Sequence, residues 1–219
     1  MANVHIKGLP ELLSRMDDLA RQQAPFAIAK AMTVTVRDAK SAEERYIPQA
    51  FDKPTPFTQR AVAFKGATKR NLTASVFIKD AQAKYLQAEA EGGQREFKSF
   101  EQKFASGGRA QVALPGRGVA LNQYGNLTKA KIKRIAADVN TSGDAKRFFS
   151  GKPRGQALPP GIYARVNNNR LITPLIVFAT AAVYRKRFQF SEVGKETITA
   201  EFQANMVEAW ADAVKTARR

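Results

Sequence analysis

Residues 191–214 read SEVGKETITAEFQANMVEAWADAV, and in this stretch Ile198, Phe202, Met206, Trp210 and Val214 recur at strict intervals of four. Apolar residues at that spacing line one face of a helix. Ser191 is the expected N-cap, because its hydroxyl can accept from one of the backbone donors that a first helical turn leaves unpaired. Arg218 and Arg219 follow, cations at the negative end of the helix dipole. A helix with so long a stripe must bury it, either as core of its own domain or against a neighbouring subunit.

Upstream of this helix the pattern changes to strands. Gly161–Val166 and Leu171–Phe178 read as a hairpin around Asn167, Asn168 and Asn169, since asparagine tolerates positive φ. Pro174 cannot donate to a ladder, so its strand must be an edge or carry a bulge. Ala61–Lys65 and Leu72–Ile78 form a second antiparallel pair across the polar stretch Gly66–Asn71. Ahead of it, Glu11–Gln23 has helical spacing. Pro25 suits the first turn of a new helix. Phe26, Ala29, Met32, Val36 and Ala39 mark that helix's apolar face, and Pro48 is its expected end. Thr33–Val36 are β-branched, so packing rather than propensity must hold them helical. Ala81–Glu91 is a further helix, stopped by Gly92 and Gly93. The fold class is therefore α+β. N-terminal helices and a long C-terminal helix are expected to pack on one small antiparallel sheet built from residues 60–79 and 160–178, in a single domain over 1–219.

Residues 95–158 break this order and read as a basic, loop-rich insertion. Phe97, Phe100 and Phe104 could share a helical face. Val112–Gly116 is a strand end and a turn, and 118–128 is loop. Lys129–Val139 is a basic helix with Ile132, Ile135, Ala136 and Val139 on its apolar side. Residues 140–160 hold Gly143, Gly151, Pro153, Gly155, Pro159 and Pro160, and so predict a mobile arm or a binding loop.

Composition narrows the chemistry. The 219 residues contain 44% hydrophobic residues, enough for a real core. There is no cysteine, which removes disulfides, thiolate metal sites and cysteine nucleophiles. The one histidine, His5, has no visible partner. Asp17 and Asp18 are adjacent and point apart on a helix, and Ser14, Ser41 and Ser191 lack a nucleophile elbow. Gly116-Arg117-Gly118 is a fragment of a glycine-rich loop and reads as a turn. No catalytic, metal or cofactor residue is assigned, and the expectation is a protein that is not an enzyme. Met1–Pro10 lacks a signal peptide's basic start and apolar run, and the apolar stretch Leu175–Val183 is too short to span a bilayer, so no membrane partner is expected.

Charge is the strongest feature. The formal net charge is +17. Residues 95–187 hold 18 basic and 4 acidic residues, whereas 1–94 carry a net of +4 and 188–219 a net of −1. A cationic block between balanced ends attracts polyanions: nucleic acid, an acidic protein surface or anionic lipid. The candidate contacts are Lys129, Lys131, Lys133 and Arg134 on the basic helix, Lys146, Arg147, Lys152 and Arg154 in the arm, and Arg185, Lys186 and Arg187 before the last helix. Phe148, Phe149, Tyr163 and Tyr184 lie nearby in sequence. Contact with a nucleic-acid backbone, without base reading, fits this composition, and so does an acidic protein neighbour.

Several stretches in order resemble the tail-completion or minor tail protein Z family of long-tailed bacteriophages. They are Ile6-Lys7-Gly8-Leu9 leading into two helices with Phe26–Met32, Tyr85-Leu86 with Glu89 and Gly92-Gly93, Leu114-Pro115-Gly116, and Leu121–Leu127. Gly161-Ile162-Tyr163 and Tyr184–Phe188 continuing to Phe202 complete them. The resemblance implies a virion structural protein that finishes the head-proximal end of a tail, as a hexameric ring around the DNA passage. Its implied partners are copies of itself, the tail terminator and the neck proteins. It implies no catalytic residues. The rival reading from charge alone is a stand-alone basic nucleic-acid-binding protein.

Overall fold

The computed structural model describes residues 18–95, 97–98, 101–102, 112–140, 147–154, 157–168, 170–181 and 183–217. Most of the first expected helix (11–17), together with His5, Phe100, Phe104, Lys146, Arg218 and Arg219, lies outside them. The elements are α1 (Asp18–Ala50), α2 (Pro56–Gln59), β1 (Val62–Lys65), β2 (Ser75–Ile78), α3 (Asp80–Glu91) and β3 (Gly93–Gln94). They continue with β4 (Val112–Pro115), α4 (Lys129–Asn140), β5 (Phe148–Gly151), β6 (Gly161–Val166), β7 (Leu171–Ala179), β8 (Val183–Tyr184) and α5 (Phe190–Ala217). The class is α+β, with long helices toward both ends and small antiparallel sheets. The chain forms two compact units: a helical unit, Met1–Gly93 with Arg185–Arg219, and a sheet unit, Gln94–Tyr184.

The helical unit is built on α1 and α5. Ala24, Ile28, Met32 and Val36, four residues apart on α1, are buried with Ala74 in one cluster, and Phe202, Met206 and Trp210 of α5 pack against it. Of the predicted stripe, Ile198 is buried in its own unit, and Phe202, Met206 and Trp210 lie half-buried against it. Three polar contacts fix the pairing as antiparallel: Lys30 Nζ meets Asp212 Oδ2 at 2.5 Å, and Asn205 Nδ2 donates to Thr35 Oγ1 and Asp38 Oδ2 at 3.1 and 3.0 Å. Thr33 and Thr35 hydroxyls donate back to the Ala29 and Ala31 carbonyls, which satisfies their polar atoms, while the burial of Met32, Thr35 and Val36 holds this β-branched stretch helical. A second cluster holds Ile47, Val62, Val76, Leu86, Phe188, Phe190 and Ile198.

Three expectations are corrected here. Pro25 does not open a helix, and Pro48 does not end one; both lie within α1, which continues to Ala50. An interior proline costs ~3 kcal/mol by deleting one hydrogen bond and crowding a carbonyl, and the full burial of Ala24, Ala27, Ile28 and Ala31 beside Pro25 outweighs it. Ser191 is not the cap either. The helix starts at Phe190, Val193 N–H donates to the Gln189 carbonyl, and Ser191 lies exposed in the first turn.

The single sheet expected from 60–79 and 160–178 is also corrected. β1 and β2 pair only with each other, in register Val62↔Ile78 to Lys65↔Ser75. The second hairpin belongs to a separate four-stranded antiparallel sheet of order β4-β7-β6-β5 in the sheet unit. The turn is as read, with Asn167 and Asn168 at φ 52° and 49°. Pro174 sits at a bulge: Ile162 pairs Ile176 but Tyr163 pairs Pro174, and the strand is internal. The interval 140–160 is not wholly an arm, because Phe148–Gly151 forms the edge strand β5 against β6. Phe148 turns into the core while Phe149 takes the other face, an alternation that outweighs the surrounding glycine and proline.

Candidate polyanion-binding surface

In the sheet unit, α4 covers one sheet face. Its Ile135 is fully buried in a cluster with Val119, Phe148, Ile162, Ala164, Ile176 and Phe178. That packing turns the opposite side of α4 outward, where Lys129, Lys133 and Arg134 are exposed and Lys131 is half-buried. Asp138 Oδ2 accepts from the Phe148 amide at 2.9 Å, tying the helix to the edge strand.

On the other sheet face, the Phe149 and Tyr163 rings stack at 5.6 Å and the Arg165 guanidinium lies over Phe149 at 4.7 Å. The Arg147 guanidinium lies over the Phe148 ring at 5.5 Å. A cation held over a ring in this way gains from the negative π face. Exposed Lys152 and Arg154 follow β5, and exposed Arg170 sits at the β6–β7 turn. Cations beside an edge strand also discourage pairing with a foreign strand, so part of this pattern protects the fold.

The two described counter-charges, Glu101 and Asp138, are spent internally. The sheet unit contains fifteen basic and four acidic residues. Glu101 is 1% exposed and accepts two hydrogen bonds from Arg95, at 2.8 and 2.5 Å, and one each from the Lys98 and Ala113 amides. Burial pushes the Glu101 carboxyl up, but the Arg95 and amide hydrogen bonds outweigh it and hold the carboxyl below its ordinary range. Glu96 and Asp144 lie outside the described residues. Among the described residues, Lys129, Lys131, Lys133, Arg134, Arg147, Lys152 and Arg154 form no ion pair.

The cations before α5 behave differently. Arg187 forks onto Glu89, with Nε–Oε2 at 2.7 Å and Nη2–Oε1 at 2.9 Å, and lies over Phe51. The Arg187 and Phe188 amides both donate to the Glu89 carbonyl. Lys186 pairs with Glu192, and only Arg185 of the three is exposed without an ion pair among the described residues. Arg187 and Lys186 thus fasten the chain where it re-enters the helical unit.

Sequence reading missed Arg165 and Arg170. The two-residue alternation of Tyr163 and Arg165 along β6 was the available signal. Gly116-Arg117-Gly118 forms the turn read from the sequence, and the structure adds why its glycines are needed. A Cβ at Gly116 would stand 2.3 Å from the Pro174 carbonyl oxygen, and one at Gly118 would stand 2.1 Å from Thr173 Cγ2, so both are needed for backbone approach to the bulge. Among the described residues no group of His, Asp or Glu could hold a metal, and no helix is long and apolar enough to cross a membrane. The chain matches no family model, no curated protein and no solved structure in the comparisons made.

Proposed function

We propose that the protein is a structural component of a long-tailed phage particle. It completes the head-proximal end of the tail as a ring of copies, with the sheet unit toward the DNA passage. The observation that supports this most is the segregation of charge: exposed cations gather on a unit whose described acids are buried or hydrogen-bonded internally. Such a surface suits a phosphate backbone that moves past without being read. The ordered resemblance to tail-completion proteins supplies the place in the virion.

Immunogold labelling of particles tests it. Label at the head–tail junction is the expected result, and particles without label would overturn the reading. The stand-alone nucleic-acid binder is favoured by one observation, the exposed Arg147 guanidinium held over Phe148. It predicts tight duplex binding by free protein, with affinity falling by ~0.9 logarithmic units per decade of salt for each phosphate neutralised. Replacing Arg147, Lys152 and Arg154 together by alanine should leave the fold intact, because all three are exposed. It should cut the salt slope by about 2–3 if they touch phosphate, and an unchanged slope would remove them from the surface.

A further inference from the structure

The helical unit carries a second cationic feature, apart from the sheet unit. A groove of about 390 Å³ runs between α1 and residues 67–69 of the β1–β2 connection. Phe26, Lys30, Thr33, Val34 and Arg37 line it from the helix, and Lys69 from the connection. Its wall is fixed. Thr33 Oγ1 accepts from the Ala67 amide at 3.0 Å, and Gly66 approaches so closely that a Cβ there would stand 2.8 Å from Thr33 Cγ2. Lys30 is neutralised by Asp212. Arg37 and Lys69 have no ion pair among the described residues, and the Lys69 ammonium is held over the Phe26 ring at 5.0 Å.

The matching surface is on the same unit. The side of α5 turned away from α1 exposes Glu196, Ala200, Ala204, Val207, Glu208 and Ala211. Val207 is 67% exposed, among the most exposed large apolar residues described. Glu196 and Glu208 form no ion pair among the described residues. Spacing agrees as well as charge. Lys69 stands at the level of Phe26, and Arg37 lies eleven residues further along α1, which is ~16 Å at 1.5 Å per residue. Glu196 and Glu208 are twelve residues apart, ~18 Å. The small alanines between them let a helix sit low in a shallow groove.

We propose that this groove receives the outward face of α5 from a second copy of the chain, with Glu208 on Arg37, Glu196 on Lys69 and Val207 beside Val34. Groove and stripe are different surfaces of one unit, so the contact is heterologous and repeats from copy to copy. It supplies named surfaces for the ring proposed above but stands on the helical unit alone.

The chain contains no cysteine, which makes the test direct. Full-length protein carrying both Val34→Cys and Val207→Cys, oxidised at high concentration, should give a covalent ladder beyond the dimer. Each single-cysteine variant should stop at dimer or stay monomeric. In sedimentation velocity, Arg37→Glu and Glu208→Lys should each weaken association about tenfold, as loss of a close interfacial charge pair does, and the two together in one chain should restore it. Unchanged melting curves will show that the exposed substitutions spare the fold. A double-cysteine protein with no ladder, or single charge reversals that associate like the parent, would overturn the proposal. So would association that the paired reversal fails to restore. The virion reading fails separately: a ladder from protein absent from particles overturns it and leaves the docking, and junction label with no ladder does the reverse.

Discussion

Glu43 should make the helical unit lose stability as pH rises through neutrality. Its side chain is fully buried on α1, and neither carboxylate oxygen has a hydrogen-bond partner. Across from it on α5 stand Glu192, a like charge, and Gly194, whose amide comes near the carboxyl and where a Cβ would lie 3.2 Å from Glu43 Oε1. Burial, reinforced by Glu192 and only partly relieved by Gly194, pushes the carboxyl from 4.5 to about 8. The folded chain therefore keeps a proton that the unfolded chain releases near 4.5. For a group raised on folding, full stability exists below the unfolded value and drains away until the folded value is passed. Between about pH 5 and about pH 8 the loss amounts to ~3.5 kcal/mol at ~1.4 kcal/mol per pH unit. In a chain of this size that is a fall of ~7–14 °C in melting temperature.

The assay is thermal unfolding at several pH values, with peptide-resolved hydrogen exchange over α1 and α5 so that the helical unit is followed by itself. Glu43→Gln keeps the shape and removes the charge. Its stability should be nearly flat from about pH 5 to about pH 8, close to or below the parent at the acid end and above it at the alkaline end by ~3 kcal/mol. Glu192→Gln should move Glu43 part of the way back toward its ordinary value. Parallel pH curves for the parent and Glu43→Gln, or a Glu43 carboxyl that titrates near 4.5, would refute the reasoning.

Two further perturbations separate the units. Phe202→Asp places a charge against the Ala24–Val36 cluster and should cost the helical unit ~2–4 kcal/mol; a parental melting curve would displace Phe202 from that packing. Glu101→Ala takes the carboxylate from the Arg95 guanidinium and from two backbone donors, and should destabilise the sheet unit by ~3–5 kcal/mol, read as faster exchange over 112–115 and 171–179. The pH dependence of the Glu101 pair has the opposite sign to that of Glu43. Its carboxyl is held low, so its stabilisation is present above the unfolded value and is lost as pH falls through the folded one.

The regular parts of the fold were legible because single side chains announced them. Four-residue spacing gave α5 and the face it turns to α1, and the asparagines gave the β6–β7 turn. What failed were punctuation marks whose local meaning tertiary packing overrode. Pro25 and Pro48 remain helical because α1 is clasped along its length, and the glycines and prolines of 140–160 could not hide the in–out alternation of Phe148 and Phe149. Sheet membership was illegible for a different reason. Two antiparallel hairpins look alike in sequence whether they share a sheet or not, and nothing local in 61–78 or 161–178 says which strands flank them.

The same distinction governs the candidate surface. Sequence located the cations, but charge alone could not separate those used inside the fold from those left for a partner. Arg187 and Lys186 sit in the most basic tripeptide of the chain, and both are taken by Glu89 and Glu192. Lys152 and Arg154 sit in an unremarkable glycine-proline stretch, are exposed and form no ion pair among the described residues. The useful quantity is therefore the charge left after internal pairs are closed, and by that measure the candidate cations that remain are those on α4, around β5 and at Arg185. Arg187→Ala should accordingly lower the melting temperature of the helical unit while leaving the salt slope of duplex binding unchanged. Arg154→Ala should do the opposite. A shifted slope for Arg187→Ala with an unshifted melt would place the polyanion contact before α5 and undo this assignment.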